Sequence, residues 1–177
     1  MRTFEYLENL IEFCNFYGQL TVADFGCGAG YLTLPIAKRL SETSTIYAFD
    51  IQEPPLEALR KKAREKNLHL VQTIRADLEK LGGSKLKNES VDWVVAANIL
   101  FQAPDKKTVI GEAYRILKNG GKILVVEWQT KPQALMGPRG EVRIAPDALK
   151  ALIATAGLSV VEEFHLGDFH YGVIARK

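Results

Sequence analysis

Cysteine is scarce in this sequence of 177 residues, which contains only Cys14 and Cys27. The two lie too far apart for the paired spacing of a zinc site, and nothing nearby supplies the other ligands. We therefore expect no bound metal. Few cysteines are also typical of proteins that work in a reducing compartment, so the expected location is cytoplasmic.

An excess of one charge is also missing, because 23 basic residues face 21 acidic ones and leave a formal charge of +2. Binding to a phosphate backbone needs a concentrated positive surface, so nucleic acid is not the expected partner. Long apolar runs are absent too, and Glu5, Glu8 and Glu12 interrupt the beginning of the chain. We expect neither a signal peptide nor a membrane-spanning segment.

What is present is the composition of a globular protein, with 47% hydrophobic and 25% charged residues. This size and composition predict one domain over residues 1–177. At its start, residues 1–19 form a leading segment in which Leu7, Leu10, Ile11 and Cys14 recur at helical spacing. The spacing predicts a short leading helix.

Strands and helices are expected to alternate after that segment. Short apolar runs predict five strands, and helical patterns between them predict the crossovers of a parallel sheet. A helix after Pro146 is followed by two runs that predict an antiparallel hairpin. The fold class is therefore α/β, a Rossmann-like doubly wound fold with a seven-stranded, mostly parallel sheet. The strand runs are 20–25, 45–49, 70–74, 91–97, 122–128, 158–164 and 171–175. The one long irregular stretch, 129–145, is expected on the substrate side.

The first of these strands runs into a glycine loop. Gly26, Gly28 and Gly30 allow the backbone to turn sharply and approach a ligand closely. The dinucleotide fingerprint G-x-G-x-x-G would need glycine where Tyr31 stands, so a pyrophosphate ligand is disfavoured. Asp24, two residues before the first glycine, suits instead a ligand that bears an ammonium and a sulfonium. The sequence thus predicts S-adenosylmethionine, with S-adenosylhomocysteine as the product.

Two further carboxylates follow the next strands. Asp50 ends the second strand, where an acidic side chain can accept hydrogen bonds from both ribose hydroxyls. Asp77 follows the third strand, in a position to accept from the exocyclic amine of adenine. The spacing of three carboxylates supports a nucleoside-containing cofactor better than the glycines alone.

With these segments in order, the chain resembles the class I S-adenosylmethionine-dependent methyltransferases, of the type found in ubiquinone and menaquinone biosynthesis (type 11/25). The resemblance covers about 22–128 and rests on Val22–Gly30, Ala48–Asp50, Ala76-Asp77, Val91–Val95, Asn98–Phe101 and Leu117–Leu124. It implies that Asp24 holds the methionine end, Asp50 the ribose and Asp77 the adenine, and that Asn98 lies near the methyl group. The cofactor residues expected are Asp24, Gly26, Cys27, Gly28, Gly30, Asp50, Ile51, Asp77, Leu78 and Asn98.

The acceptor site is less defined. Many relatives have a histidine pair after the fourth strand where this chain has Phe101-Gln102, so histidine-assisted chemistry there is not expected. Glu127, at the end of the fifth strand, is the candidate general base if the acceptor must lose a proton. Tyr31, Trp128 and Arg139, together with Phe101, are the candidate substrate contacts.

A small molecule is the expected acceptor. Residues 98–101 lack the Asn/Asp-Pro-Pro-Tyr signature of enzymes that methylate nucleic-acid amines, and no Pro-Cys nucleophile is present. The leading segment is short for a lid, so the acceptor site is open or is completed by a second subunit in a homodimer.

Three alternatives stay open: a protein acceptor, a binding protein that has lost turnover, and, least favoured, a nicotinamide-dependent oxidoreductase. His69, His165 and His170 are interpreted as strand-end or hairpin residues, although the hairpin could border the pocket.

Overall fold

The computed structural model describes residues 1–130 and 137–177. Within them the chain forms eight strands, five α-helices and one short 3-10 helix. The strands are β1 Arg2–Phe4, β2 Thr21–Phe25, β3 Thr45–Asp50, β4 Val71–Arg75, β5 Val91–Ala97, β6 Leu117–Trp128, β7 Ser159–Leu166 and β8 His170–Arg176. The helices are α1 Leu7–Phe13, α2 Thr33–Ala37, α3 Glu53–Glu65, α4 Lys106–Ile116 and α5 Pro146–Thr155, and the 3-10 helix is Gly140–Val142.

One sheet contains all eight strands in the order β1-β7-β8-β6-β5-β2-β3-β4. Every neighbouring pair is parallel except the two that include β8, which runs against β6 and β7. The predicted doubly wound, mostly parallel architecture with an antiparallel terminal hairpin is confirmed. The winding reverses between β2 and β5, which opens a crevice at the carboxyl ends of these two strands.

The predicted number of seven strands is wrong by one. Arg2, Thr3 and Phe4 pair in parallel with β7 and add β1 at the edge of the sheet. A run of three residues carries no readable periodicity, so the pattern pointed only to the helix that follows. Phe4 packs edge-on against Phe164 of β7 at 5.4 Å between ring centroids, which buries the last side chain of this short strand against the hairpin.

Two local sequence patterns end differently in the structure. Residues 31–40 have helical character, but α2 comprises only Thr33–Ala37, because the glycine loop continues to Leu32. Asn119-Gly120-Gly121 is typical of a helix end, yet it lies within β6, which begins at Leu117 immediately after α4. Of the irregular segment 129–145, residues 131–136 lie outside the described part of the chain.

Helices cover both faces of the sheet, as a doubly wound fold requires. Val109 and Ile110 of α4 pack with Leu149 and Ile153 of α5 against one face. On the other face, Leu10 and Ile11 of α1 and Ile36 of α2 join the core. None of the helices within residues 1–130 and 137–177 has the length and apolar character needed to cross a membrane.

Candidate active site

The glycine loop turns over the end of β2. Gly26, Gly28 and Gly30 adopt φ angles of 70°, 50° and 88°, in the left-handed region that glycine enters without steric cost. Asp50 fixes the loop from the neighbouring strand, since its Oδ2 accepts the Gly28 N–H at 3.0 Å. The backbone N–H of Cys27 donates to the carbonyl of Phe49 at 2.8 Å and extends the β2–β3 pairing by one residue.

Beside this loop lies a cavity of about 410 Å³, hereafter the smaller cavity. It is closed by segments that follow β2, β3, β4 and β5, so the carboxyl ends of four neighbouring strands converge on it. Seven of the ten predicted cofactor residues line it, namely Gly26, Gly28, Asp50, Ile51, Asp77, Leu78 and Asn98. The sequence prediction therefore selected residues that the fold brings together.

Two of the three carboxylates that line the smaller cavity, Asp50 and Asp77, are held by backbone N–H groups. Asp50 Oδ1 accepts from Gln52 at 2.9 Å, and Asp77 Oδ1 accepts from Glu79 at 3.1 Å. Lys80 lies 3.0 Å from Asp77 Oδ2, and its hydrogen bond lowers the pKa of Asp77. Asp77 is consequently ionised near neutral pH and can accept hydrogen bonds there.

Asp24 and Cys27 lie behind the loop rather than on the cavity wall. Asp24 is only 2% exposed and accepts a hydrogen bond from the Thr33 hydroxyl at 2.5 Å. Burial raises the pKa of Asp24 to about 6, although the Thr33 hydrogen bond opposes that rise. Burial likewise raises the pKa of the Cys27 thiol, which keeps the thiol protonated.

A second and larger cavity, of about 910 Å³, lies on the other side of the crevice. The start of α1, the end of the glycine loop and the tip of the β7–β8 hairpin surround it. Gly30 and Tyr31, both named from the sequence, line it, and the Tyr31 ring is 80% exposed. Asn98 lines both cavities, so this residue marks the point where they meet.

The other residues proposed for the acceptor side are not brought to this cavity. Glu127 has no exposed area, and its Oε1 accepts the Leu100 N–H at 2.8 Å, so it anchors the segment after β5. Trp128 packs against His170 with 4.2 Å between ring centroids. Phe101 and Arg139 are absent from the described walls of both cavities. The expectation that Glu127 faces the acceptor is corrected, because its side chain points into the protein.

Sequence reasoning allowed that the hairpin could border the pocket but assigned none of its residues to the site, and residues 166–170 form one wall of the larger cavity. The predicted hairpin was correct, but its proximity to Asn98 depends on β8 inserting beside β6 and opposing His170 to Trp128. Strand order is a long-range property, and no local spacing signals it. The polar signal available was His170 itself, at the first position of the last strand.

The sequence of this chain is similar to those of known methyltransferases. A family model described as a methyltransferase domain matches residues 18–158. A demethylmenaquinone methyltransferase of Lactobacillus johnsonii is 30% identical over 73% of this chain and 53% of its own length. A human arsenite methyltransferase is 31% identical over 58% of this chain and 29% of its own length. The chain thus spans about half the length, or less, of these curated relatives.

A solved structure of an S-adenosylmethionine-dependent methyltransferase from Aquifex aeolicus has the same fold. Its TM-score is 0.86 at 22% identity, and the alignment covers 96% of this chain and 88% of that one. Since the family model covers well over half of the chain, the protein belongs to the methyltransferase-domain family, with the fold of the S-adenosylmethionine-dependent methyltransferases.

Proposed function

We propose that this chain transfers a methyl group from S-adenosylmethionine to a small organic molecule. The observation that carries the proposal is the junction of the two cavities at Asn98, the only residue on both described walls. The smaller cavity has the size and the carboxylates for an adenosine, and the larger one has room for an acceptor. A methyl group held at the junction would be presented from one cavity to the other.

The residues present fit this cofactor. A Cβ on Gly28 would meet no atom within 4 Å, so the loop leaves open space beside Asp50. In this arrangement Asp50 receives the ribose hydroxyls and Asp77 the adenine amine, while the methionine end extends past Gly30. The sulfonium supplies an activated methyl group, so the chain has to align the acceptor and exclude water rather than provide a nucleophile.

The acceptor is proposed to be organic because the chain lacks accessible thiolates. Arsenite, the substrate named for the human relative, is a soft centre that favours thiolate ligands. Cys14 and Cys27 are both buried, and burial raises the pKa of the Cys14 thiol to about 12. Neither cysteine lines either cavity in the described residues. A carbon, oxygen or nitrogen acceptor therefore fits this site better than arsenic.

The cofactor part is tested by isothermal titration with S-adenosylmethionine and S-adenosylhomocysteine. Both are expected to bind, and Asp50→Asn is expected to weaken binding about 10- to 100-fold, the usual effect of losing a hydrogen bond to a charged group. Asp147→Asn is the matched control, since the Asp147 side chain is 95% exposed on α5 and lines neither cavity. This variant should bind like the wild type.

Methyl transfer itself is tested by incubating the protein and S-adenosylmethionine with a metabolite extract and measuring S-adenosylhomocysteine release by mass spectrometry. Release that depends on the extract supports an enzyme. Tight binding without release would favour a binding protein that has lost turnover, and binding of NADH in place of the sulfonium ligand would contradict the proposal altogether.

A further inference from the structure

His170 and Asn98 form a polar pair at the junction of the two cavities. Asn98 follows β5 with a φ angle of 54°, a left-handed conformation that turns its side chain away from the strand direction. Its Nδ2 lies 3.3 Å from Nε2 of His170, and both residues line the larger cavity. Asn98 Oδ1 is buried and has no hydrogen-bond partner among the described residues. A buried amide oxygen without a partner is rare in proteins, so the protein by itself does not satisfy this amide fully.

The imidazole of His170 is held firmly in place. It packs against the Trp128 indole, with an angle of 39° between the ring planes. Trp128 and His170 form the pair at one end of the β6–β8 ladder. Gln129, which is buried, donates from Nε2 to the His170 carbonyl at 3.1 Å and from its backbone N–H to the Phe169 carbonyl at 2.7 Å. The indole therefore packs against the ring while Gln129 fixes the backbone that carries it, and such support orients a functional side chain.

The surroundings favour a neutral imidazole. Burial is the first cause that lowers the pKa of His170, and the positive charge of Arg143 is the second. Six other charged side chains line the same cavity, and their charges balance. The acidic ones are Glu5, Glu8 and Asp168, and the basic ones are Lys38, Arg39 and Lys62. The Asn98 amide donates towards Nε2, which leaves the proton of the neutral ring on Nδ1 and a lone pair on Nε2.

We propose, resting on the methyl transfer proposed above, that His170 accepts the proton of an acceptor hydroxyl while Asn98 orients the same oxygen. An oxygen placed about 2.8 Å from both Nε2 of His170 and Nδ2 of Asn98 completes a triangle with the observed 3.3 Å side. The hydroxyl donates to Nε2 and accepts from Nδ2. As the new O–CH₃ bond forms and the S–CH₃ bond breaks, the proton passes to Nε2, and the imidazolium later releases it to water.

The walls of the larger cavity indicate an aromatic acceptor. Tyr6, Tyr31 and Phe169 place exposed rings there, and Leu7 and Leu166 add aliphatic surface. Flat apolar surface with one polar pair at its base fits a ring that carries a hydroxyl group. A simple phenol is therefore the probe that the geometry selects.

The first test is the tautomer of His170, measured by ¹⁵N NMR on the protein with ring-labelled histidine, with signals assigned through His→Phe variants. We expect an unprotonated Nε2 at neutral pH in the protein without ligands. A proton on Nε2 would overturn the proposal, because it would mean that Asn98 presents its oxygen and that His170 is a donor. This readout does not depend on cofactor binding or on turnover.

The second test compares 4-methylphenol, which stays protonated at neutral pH, with 4-methylanisole on protein saturated with S-adenosylhomocysteine. The phenol should bind about 5- to 10-fold more tightly, since only it can donate to Nε2. His170→Phe keeps a ring against Trp128 and should make the two probes equal. His165→Phe is the control, because His165 lies on the same hairpin but contacts Gln129 and not the cavity.

Equal binding of the two probes to the wild type, absence of binding by both, or a preference that survives His170→Phe would each overturn the proposal. Failure of S-adenosylhomocysteine to bind would instead be seen in the titration alone and would contradict the proposed function. Thermal unfolding of each variant verifies that it is folded.

Discussion

At the scale of single residues, Gly28 and Gly30 offer a matched pair of substitutions. A Cβ on Gly30 would lie 2.5 Å from Leu59 Cδ1 and 3.1 Å from Leu34 Cγ. An alanine side chain would therefore clash with Leu34 of α2 and Leu59 of α3, and the loop would have to move away from them. We expect Gly30→Ala to lower the free energy of unfolding by about 3 kcal/mol, from overpacking together with the left-handed φ. Urea denaturation measures this change.

Gly28→Ala should behave differently, because its Cβ meets no atom within 4 Å and only the left-handed φ is unfavourable. We expect a loss of about 1 kcal/mol in stability. Affinity for S-adenosylhomocysteine should nevertheless fall about tenfold or more, since Gly28 lines the smaller cavity. A stable variant with unchanged affinity would contradict the placement of the cofactor beside this loop.

The residues that sequence could and could not identify differ in the range of their constraints. Asp50 and Asp77 were found because each lies at or just beyond the end of its own strand, and strand ends meet at one edge of a parallel sheet. Glu127 was assigned by the same rule, yet it lies at a position where the side chain points into the core below residues 98–101. The rule predicts the edge of the sheet at which a side chain lies. The face to which the side chain points depends on strand register, and a strand that is buried on both faces has no alternating pattern from which register could be read.

At the scale of elements, Glu112 of α4 holds the segment that carries the adenine-side wall. This fully buried carboxylate accepts from the Gly82 N–H at 2.7 Å, from the Ser84 hydroxyl at 2.6 Å and from Arg115 at 2.7 Å. Burial alone would raise its pKa, but the hydrogen bonds from Arg115 and Ser84 outweigh burial and lower the pKa to about 2. The loop between β4 and β5 is thereby tied to a helix on one face of the sheet.

Glu112→Gln should therefore destabilise the protein by about 3–5 kcal/mol, because Arg115 would keep its charge without its buried partner. Asp147→Asn, which changes an exposed ion pair to Lys150, should alter stability by less than about 1 kcal/mol. Denaturant titration of the two variants checks the difference. Equal effects would indicate that the Glu112 cluster does not anchor the loop.

The elements themselves were largely predictable, since seven of the eight strands and the longer helices have apolar runs or helical spacing of their own. Local patterns could not predict which distant segments contact one another. β1 is a strand only because β7 offers a free edge, and the last hairpin approaches Asn98 only because β8 lies between β6 and β7. Both facts depend on contacts between segments distant in sequence, for example Asn98 with His170 at a separation of 72.

At the scale of the whole molecule, two buried carboxyls make stability depend on pH. Burial raises the pKa of Glu127 to about 7, and the Leu100 and Phe101 N–H groups offset only part of that rise. Asp24 is shifted in the same direction, to about 6. A group whose pKa is higher in the folded protein stabilises it fully below its unfolded pKa, and this contribution is lost as pH rises through the folded pKa. Because His170 titrates over part of the same range in the opposite sense, a single stability curve would mix several groups.

Subtracting the curve of Glu127→Gln from that of the wild type isolates the one carboxyl. The difference in free energy of unfolding should decrease by about 3 kcal/mol between pH 4.5 and 7 and be level on either side, since one pKa unit corresponds to about 1.4 kcal/mol. Asp147→Asn, treated in the same way, should give no comparable step. Urea denaturation from pH 4 to 8 measures both differences. A level difference for Glu127→Gln would mean that Glu127 ionises as freely in the folded protein as in the unfolded chain, and that the 98–101 segment rests on a charged carboxylate rather than a protonated one.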